Sequence, residues 1–288
     1  MSKARNQISF KILLQSLVLL LFSMPAFSQF YYKDQVATKE IISRFQLYKV
    51  NKVNAVKLNS FQGNEPVTEG FVCEQKMNPS KNQLVTYTKT ADAGESYLTA
   101  VYNNQGLLIR AIDSTEETVS SSNYSYDAQN RLIELSIESR AKDNSSRTTE
   151  KHSWKYNAQG KPASMIRTKN GADTTLVNFV LDENGNVIEE ESLKQGTGQG
   201  KVYYYYDEKN RLTDVVRYNV GARRLLPDYI FEYEDDELST MTVVPEGSDD
   251  YQKWYYTYDE NGLKQADFCY DKKNQLLGKI EYSYQFNK

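Results

Sequence analysis

From about residue 97 onward, aromatic and apolar residues alternate with polar ones at a spacing of two, as in Tyr124-Ser-Tyr126 and Tyr204-Tyr-Tyr206. That period places successive side chains on opposite faces of a strand, and tyrosine favours the half-buried, pleated surface of a sheet. Each such segment ends on Asp or Asn, as at Asp127, Asn157, Asp182, Asp207 and Asp259. Three residues later stands Asn130, Gly160, Gly185, Asn210 or Gly262. The carboxylate accepts a bond from the backbone two residues on, and the Gly or Asn takes the left-handed conformation that closes a type I turn with a bulge. The chain then re-enters a strand at Leu132, Val187 or Leu212. Each copy is therefore a hairpin.

The copies recur about every 25 residues, a repeat-architecture signal. Between them lie the looser turn sequences Lys169–Asp173, Gln195–Gly200 and Pro245–Asp249. The expected fold is all-β: an antiparallel meander of about 14 to 18 strands, two per repeat, curved or wound into an open superhelical sheet. A closed barrel or propeller-like ring is the alternative, although 25 residues is short for a four-stranded blade.

Tyr124-Ser-Tyr-Asp-Ala-Gln-Asn-Arg-Leu132 and Tyr204-Tyr-Tyr-Asp-Glu-Lys-Asn-Arg-Leu212 resemble the YD repeat of RHS-type proteins, YxYDxxGRL. The resemblance covers residues 97 to 286 and departs from the family in Asn130 and Asn210, where it has Gly. Neither the self-cleaving core segment nor the toxin domain of that family is present. The resemblance implies a small secreted relative rather than a toxin shell.

Before the repeats the pattern changes. Residues 1–28 read as a secretory signal peptide, with Lys3, Arg5 and Lys11 ahead of the apolar run Ile12 to Phe22 and a small-x-small site at Ala26-Phe-Ser28. The run is too short to span a bilayer. Residues 29–96 form an N-terminal segment. In it Ile41, Ile42, Phe45 and Tyr48 suggest a short helix over 39–48 capping the first strands, with an irregular arm as the competing reading. Residues 71–77 and 83–89 flank the turn Asn78-Pro-Ser-Lys-Asn82 as a degenerate first hairpin. The repeat region proper is 97–288.

Charge narrows the partners. Removal of the signal's three cations moves the net charge from −3 to −6, which leaves no basic footprint for nucleic acid. The mature chain should carry no transmembrane helix and lie in the periplasm or outside the cell.

The search for chemistry returns little. Cys73 and Cys269 stand near the two ends of the β region and read as separate thiols; a bridge between them would mean that the sheet closes on itself. His152 reads as structural or exposed, because no nucleophile elbow accompanies it, and a single His excludes a zinc site built on several. Asp182-Glu-Asn-Gly-Asn186 lacks the glycine and glutamate spacing of a calcium loop. The acidic run Glu189–Glu191 reads as a solvated strand edge or turn that discourages edge-to-edge pairing. No cofactor or metal is expected.

What remains is aromatic surface. Consecutive tyrosines in a strand face both sides of the sheet, so Tyr203, Tyr205 and Tyr255 are the candidate exposed contacts, against the simpler role of cross-strand ladders. Asp127, Asn130, Asp182, Gly185, Asp207, Asn210, Asp259 and Gly262 are assigned to turns. The expected function is that of a non-enzymatic scaffold or interaction protein whose partner is an envelope glycan or another surface protein. A carbohydrate-binding module and a glycan-active hydrolase are the alternatives.

Overall fold

The computed structural model describes residues 30–67, 70–245 and 250–287; the expected signal peptide lies outside them. A helix, α1 (Lys33–Val50), is followed by nineteen strands, from β1 (Val53–Gln62), β2 (Glu65–Pro66) and β3 (Val72–Asn78) to β18 (Lys264–Asp271) and β19 (Leu276–Phe286). Each strand from β3 onward pairs antiparallel with the next. The two-residue β2 pairs only with β1.

The meander closes. β1 pairs with β3 through Ala55–Leu58 and with β19 over nine residues, from Val53 opposite Phe286 to Gln62 opposite Gly278. Eighteen strands therefore form a ring, which overturns the expectation of an open superhelical sheet. The RHS resemblance falls with it, because hairpin copies that wind an open sheet have free edges and these have none. Residues 83–90 and 94–102 pair across the turn at 91–93, so the N-terminal segment and the repeat region share one wall.

The motif hairpins line one end of the ring, and their residues link neighbouring copies. Asp127 accepts the backbone N–H of Gln129 and Arg131 and binds the Arg131 side chain; Asp207 does the same with Lys209 and Arg211. Asn130 and Asn210 take φ of 60° and 59°, the left-handed conformation that Asn tolerates better than most residues. The last tyrosine of each copy reaches back to the return strand of the copy before. Tyr156 donates to the Leu132 carbonyl at 2.6 Å, Tyr233 to Leu212 at 2.9 Å and Tyr258 to Leu238 at 3.0 Å. Arg131 lies 4.7 Å over the Tyr156 ring and Arg211 4.4 Å over Tyr233, a cation–π contact to the next copy. The motif thus encodes a hairpin together with its sideways attachment.

Eighteen strands enclose more room than side chains alone fill. Helix α1 occupies part of it, lying across the mouth at the motif end. Gln35 donates to the Tyr156 hydroxyl on one wall, and Phe45 stacks on Tyr102 of another with centroids 3.6 Å apart. The helix is packed so closely that a Cβ at Gly106 would strike the Gln46 amide. It is longer than the expected 39–48, and its Ile41, Phe45 and Tyr48 pack on the first strands from within the barrel, as a plug. Beneath it the interior is apolar: Leu108, Met165, Val177, Val187, Val215 and Leu263 are fully buried.

The outer face is the reverse. Opposite charges pair across neighbouring strands, Lys151 with Glu134, Arg147 with Glu138 and Lys201 with Glu189, and Lys253 reaches over β16 (Glu237–Val243) to Glu232, at 2.5–2.8 Å. These residues alternate with the buried Leu135, Trp154, Val202 and Trp254. A barrel that crosses a membrane needs an apolar outer band and commonly has a polar interior. This wall carries its charge pairs outside and its leucine, valine and tryptophan side chains within.

A polar cup at the open end of the barrel

The interior changes character along its axis. Away from the motif end the inward positions become Thr88, Ser120, Ser139, Arg167, Thr175 and Ser192 in place of leucine and valine; Ser120 and Ser139 share a hydroxyl–hydroxyl bond of 2.8 Å. One wall of this end holds a partly open cavity of about 400 Å³, lined by Tyr31, Arg167, Thr175, Ser192, Lys194, Gln199 and Arg217 among others. That volume suits a small molecule.

Beneath the cavity the segment leading into α1 is anchored by buried polar groups. The Glu190 carboxylate accepts the backbone N–H of Tyr31 (2.8 and 2.9 Å) and of Tyr32 (2.9 Å) and the Tyr204 hydroxyl (2.8 Å). Burial pushes its pKa up, against the lowering effect of those donors. The expectation that Glu189–Glu191 is a solvated run is corrected here: strand alternation turns Glu190 inward, where it is 1% exposed.

His152 is equally buried. Its Nδ1 bonds Asp34 of α1 at 2.5 Å and its Nε2 bonds Glu150 at 2.8 Å, so the ring carries a proton on both nitrogens when both acids are ionised. Burial works to lower the His152 pKa, but the two carboxylates override it and raise it to about 9. Burial likewise works to raise Glu150, yet the bonds from His152 and Arg167 bring it down to about 2. Arg167 donates through one terminal nitrogen to Glu150 at 2.8 Å. Its Nε is buried with no hydrogen-bond partner.

Two further cations of the cavity are backed in the same way, and a third, Lys201, pairs with Glu189. Arg217 binds Asp228 through two bonds of 2.5 and 3.1 Å, and Lys194 binds Asp173 at 2.8 Å. In each pair the cation lines the cavity and the acid does not. Among the described residues no carboxylate lines the cavity.

The residues singled out by sequence lie elsewhere. Tyr203, Tyr205 and Tyr255 are on the outer face, with Tyr205 49% exposed. Tyr255 sits four strands from Tyr205, roughly 19 Å at the usual strand spacing, and packs edge-on against Tyr270. The structure does not bring the three together. Asp182 accepts the N–H and the side-chain amide of Asn186, Gly185 has φ 79°, and Asp259 accepts from Asn261 and Leu263 in the turn that holds Gly262. Among the described residues no cluster of His, Cys, Asp and Glu is arranged to hold a metal. Cys73 and Cys269 are buried free thiols. β1 and β19 lie between their strands, roughly 14 Å at the usual spacing and too far for a bridge, so the sheet closes without a disulfide.

Arg167, Lys194, Arg217, Glu190 and Asp34 were not legible as a site. The available signal was parity: Arg167 lies two residues from Met165, on the same face of its strand.

No protein-family model matches the chain, for the YD repeat or otherwise, and no curated protein matches it. Among solved structures, it is similar to a porin-like protein from Bacteroides uniformis, with 9% identity and a TM-score of 0.37 over 81% of this chain and 98% of that one. A porin-like protein from Bacteroides vulgatus gives 13% identity and a TM-score of 0.32 over 81% and 99%. No helix among the described residues is long and apolar enough to cross a membrane.

Proposed function

We propose that the protein is a non-enzymatic binding protein of the cell envelope, exported and folded in water, that holds a small ligand in the polar cup. The observation that carries this reading is the asymmetry of the lumen: α1 closes one mouth over an apolar interior, while the other end opens into a cavity lined by donors. The charged outer wall supports a place beside the membrane rather than within it, since each Lys or Arg at the bilayer midplane costs roughly 2–4 kcal/mol. The cup offers positioned donors without a paired acid and base facing one another, which suits binding better than turnover.

Two measurements test this. Osmotic shock of expressing cells should release the mature protein without detergent; recovery only in the detergent-extracted outer membrane would refute the water-facing wall. Chemical-shift mapping against a panel of small envelope metabolites should move the Thr175, Ser192 and Gln199 amides. If no panel member perturbs them, the binding reading fails.

A further inference from the structure

The cup has a polarity that defines its ligand more closely, on the footing of the binding role proposed above. Four cationic residues line the cavity, Arg167, Lys194 and Arg217 on the alternate strands β10 (Pro162–Lys169), β12 (Val187–Lys194) and β14 (Leu212–Asn219) and Lys201 on β13 (Thr197–Tyr206), and no acid among the described residues lines it. Arg167 is 7% exposed, and its Nε is a buried donor with nothing to donate to. An unsatisfied buried donor costs roughly 1–3 kcal/mol, and the residue that carries this one lines the cavity. Glu150, Asp173 and Asp228 hold Arg167, Lys194 and Arg217 in place. A ligand carboxylate there would meet fixed donors, and charge-assisted bonds to arginine are among the strong ones.

The rest of the lining is neutral and matched to hydroxyls. Thr175, Ser192 and Gln199 both donate and accept, and Tyr31 offers a ring set edge-on to His152 at 5.6 Å. A volume of about 400 Å³ admits a molecule of one or two rings rather than a polymer.

We propose that the cup binds a small acidic sugar, with its carboxylate at the cationic side of the cavity formed by Arg167, Lys194 and Arg217, and its hydroxyls on Thr175, Ser192 and Gln199. No bond is made or broken in the process.

The test is calorimetric titration of residues 29–288 with digalacturonate and, separately, with maltose at matched concentration. Digalacturonate should bind at least tenfold more tightly than maltose. Raising the salt from 50 to 300 mM should weaken the acid sugar and leave maltose unchanged. Arg167→Gln should abolish the preference for the acid. Because Arg167 also pairs with Glu150, Lys194→Gln at the exposed rim is the second variant, and it should weaken digalacturonate severalfold with an unchanged melting temperature. Equal affinity for the two sugars, or digalacturonate binding indifferent to both substitutions, would overturn the acidic-sugar assignment while leaving a binding cup. Absence of heat with digalacturonate from a folded protein would overturn the assignment as well. The amide mapping against the wider panel then decides separately whether the cup binds anything.

Discussion

Raising the pH from 6.5 to 9 should destabilise the protein through one residue. His152 is held in its protonated form by Asp34 and Glu150, with its pKa raised from 6.5 to about 9. The folded state therefore binds a proton that the unfolded chain has released across that interval, and stability falls as pH rises. The contribution is complete below pH 6.5 and gone above about 9, and its ceiling is roughly 3 kcal/mol at 1.36 kcal/mol per pH unit. The site is 4% exposed, so solvent screening takes little from it. Urea unfolding followed by tryptophan fluorescence suits the measurement, with Trp154 two residues away. Because Glu190 and other groups also titrate, the quantity to read is the difference between the parent and His152→Gln. The parent midpoint should drop between pH 6.5 and 9 and the variant midpoint should move much less, with both slopes unchanged. Parallel curves would show that the latch between α1 and the wall is not ionic. Toward acid the sign reverses: Glu150, depressed to about 2, stabilises the fold above pH 4.5, and that contribution is lost as pH falls through the folded value.

Phe45→Ala removes a buried ring stacked on Tyr102 and should cost about 3–5 kcal/mol in the same assay; a loss under 1 kcal/mol would mean that α1 does not plug the lumen. Asp207→Ala strips a turn of two backbone acceptor bonds and its ion pair to Arg211 and should cost about 1–2 kcal/mol, read from thermal unfolding. Lys57 and Ser283 face one another across the closing seam, so Lys57→Cys with Ser283→Cys should form an intramolecular disulfide on mild oxidation, visible as faster migration on non-reducing gels. A sheet that did not close would leave two free thiols or give dimers.

Much of the wall was legible because its information is local. A tyrosine, an aspartate and a residue tolerant of positive φ at fixed spacing specify a hairpin without help from the rest of the chain, and Asp127 to Leu132 and Asp207 to Leu212 do so. Closure was not legible, since the pairing of Val53 with Phe286 is carried by shape and register far apart in sequence. The first turns of α1 were missed because their buried face carries Asp34, which bonds His152, and Thr38, polar residues that erase the apolar period. Glu190 and Arg167 were hidden for a related reason. A charged residue in a strand reads as solvent-facing unless its parity is followed from a neighbour whose burial is certain.

The seam between β1 and β19 also sets the order in which the protein can assemble. Every other wall strand meets its partner through a short connection, so the hairpins can zip successively at little loop entropy, whereas the seam joins residues more than 200 positions apart. A chain crossing a membrane N-terminus first delivers β19 last. Until then the growing sheet carries two unpaired edges and an unsealed apolar interior, the state most open to aggregation and proteolysis. Nonsense or frameshift changes anywhere within β19 should therefore be far more damaging than their distance from the cup would imply.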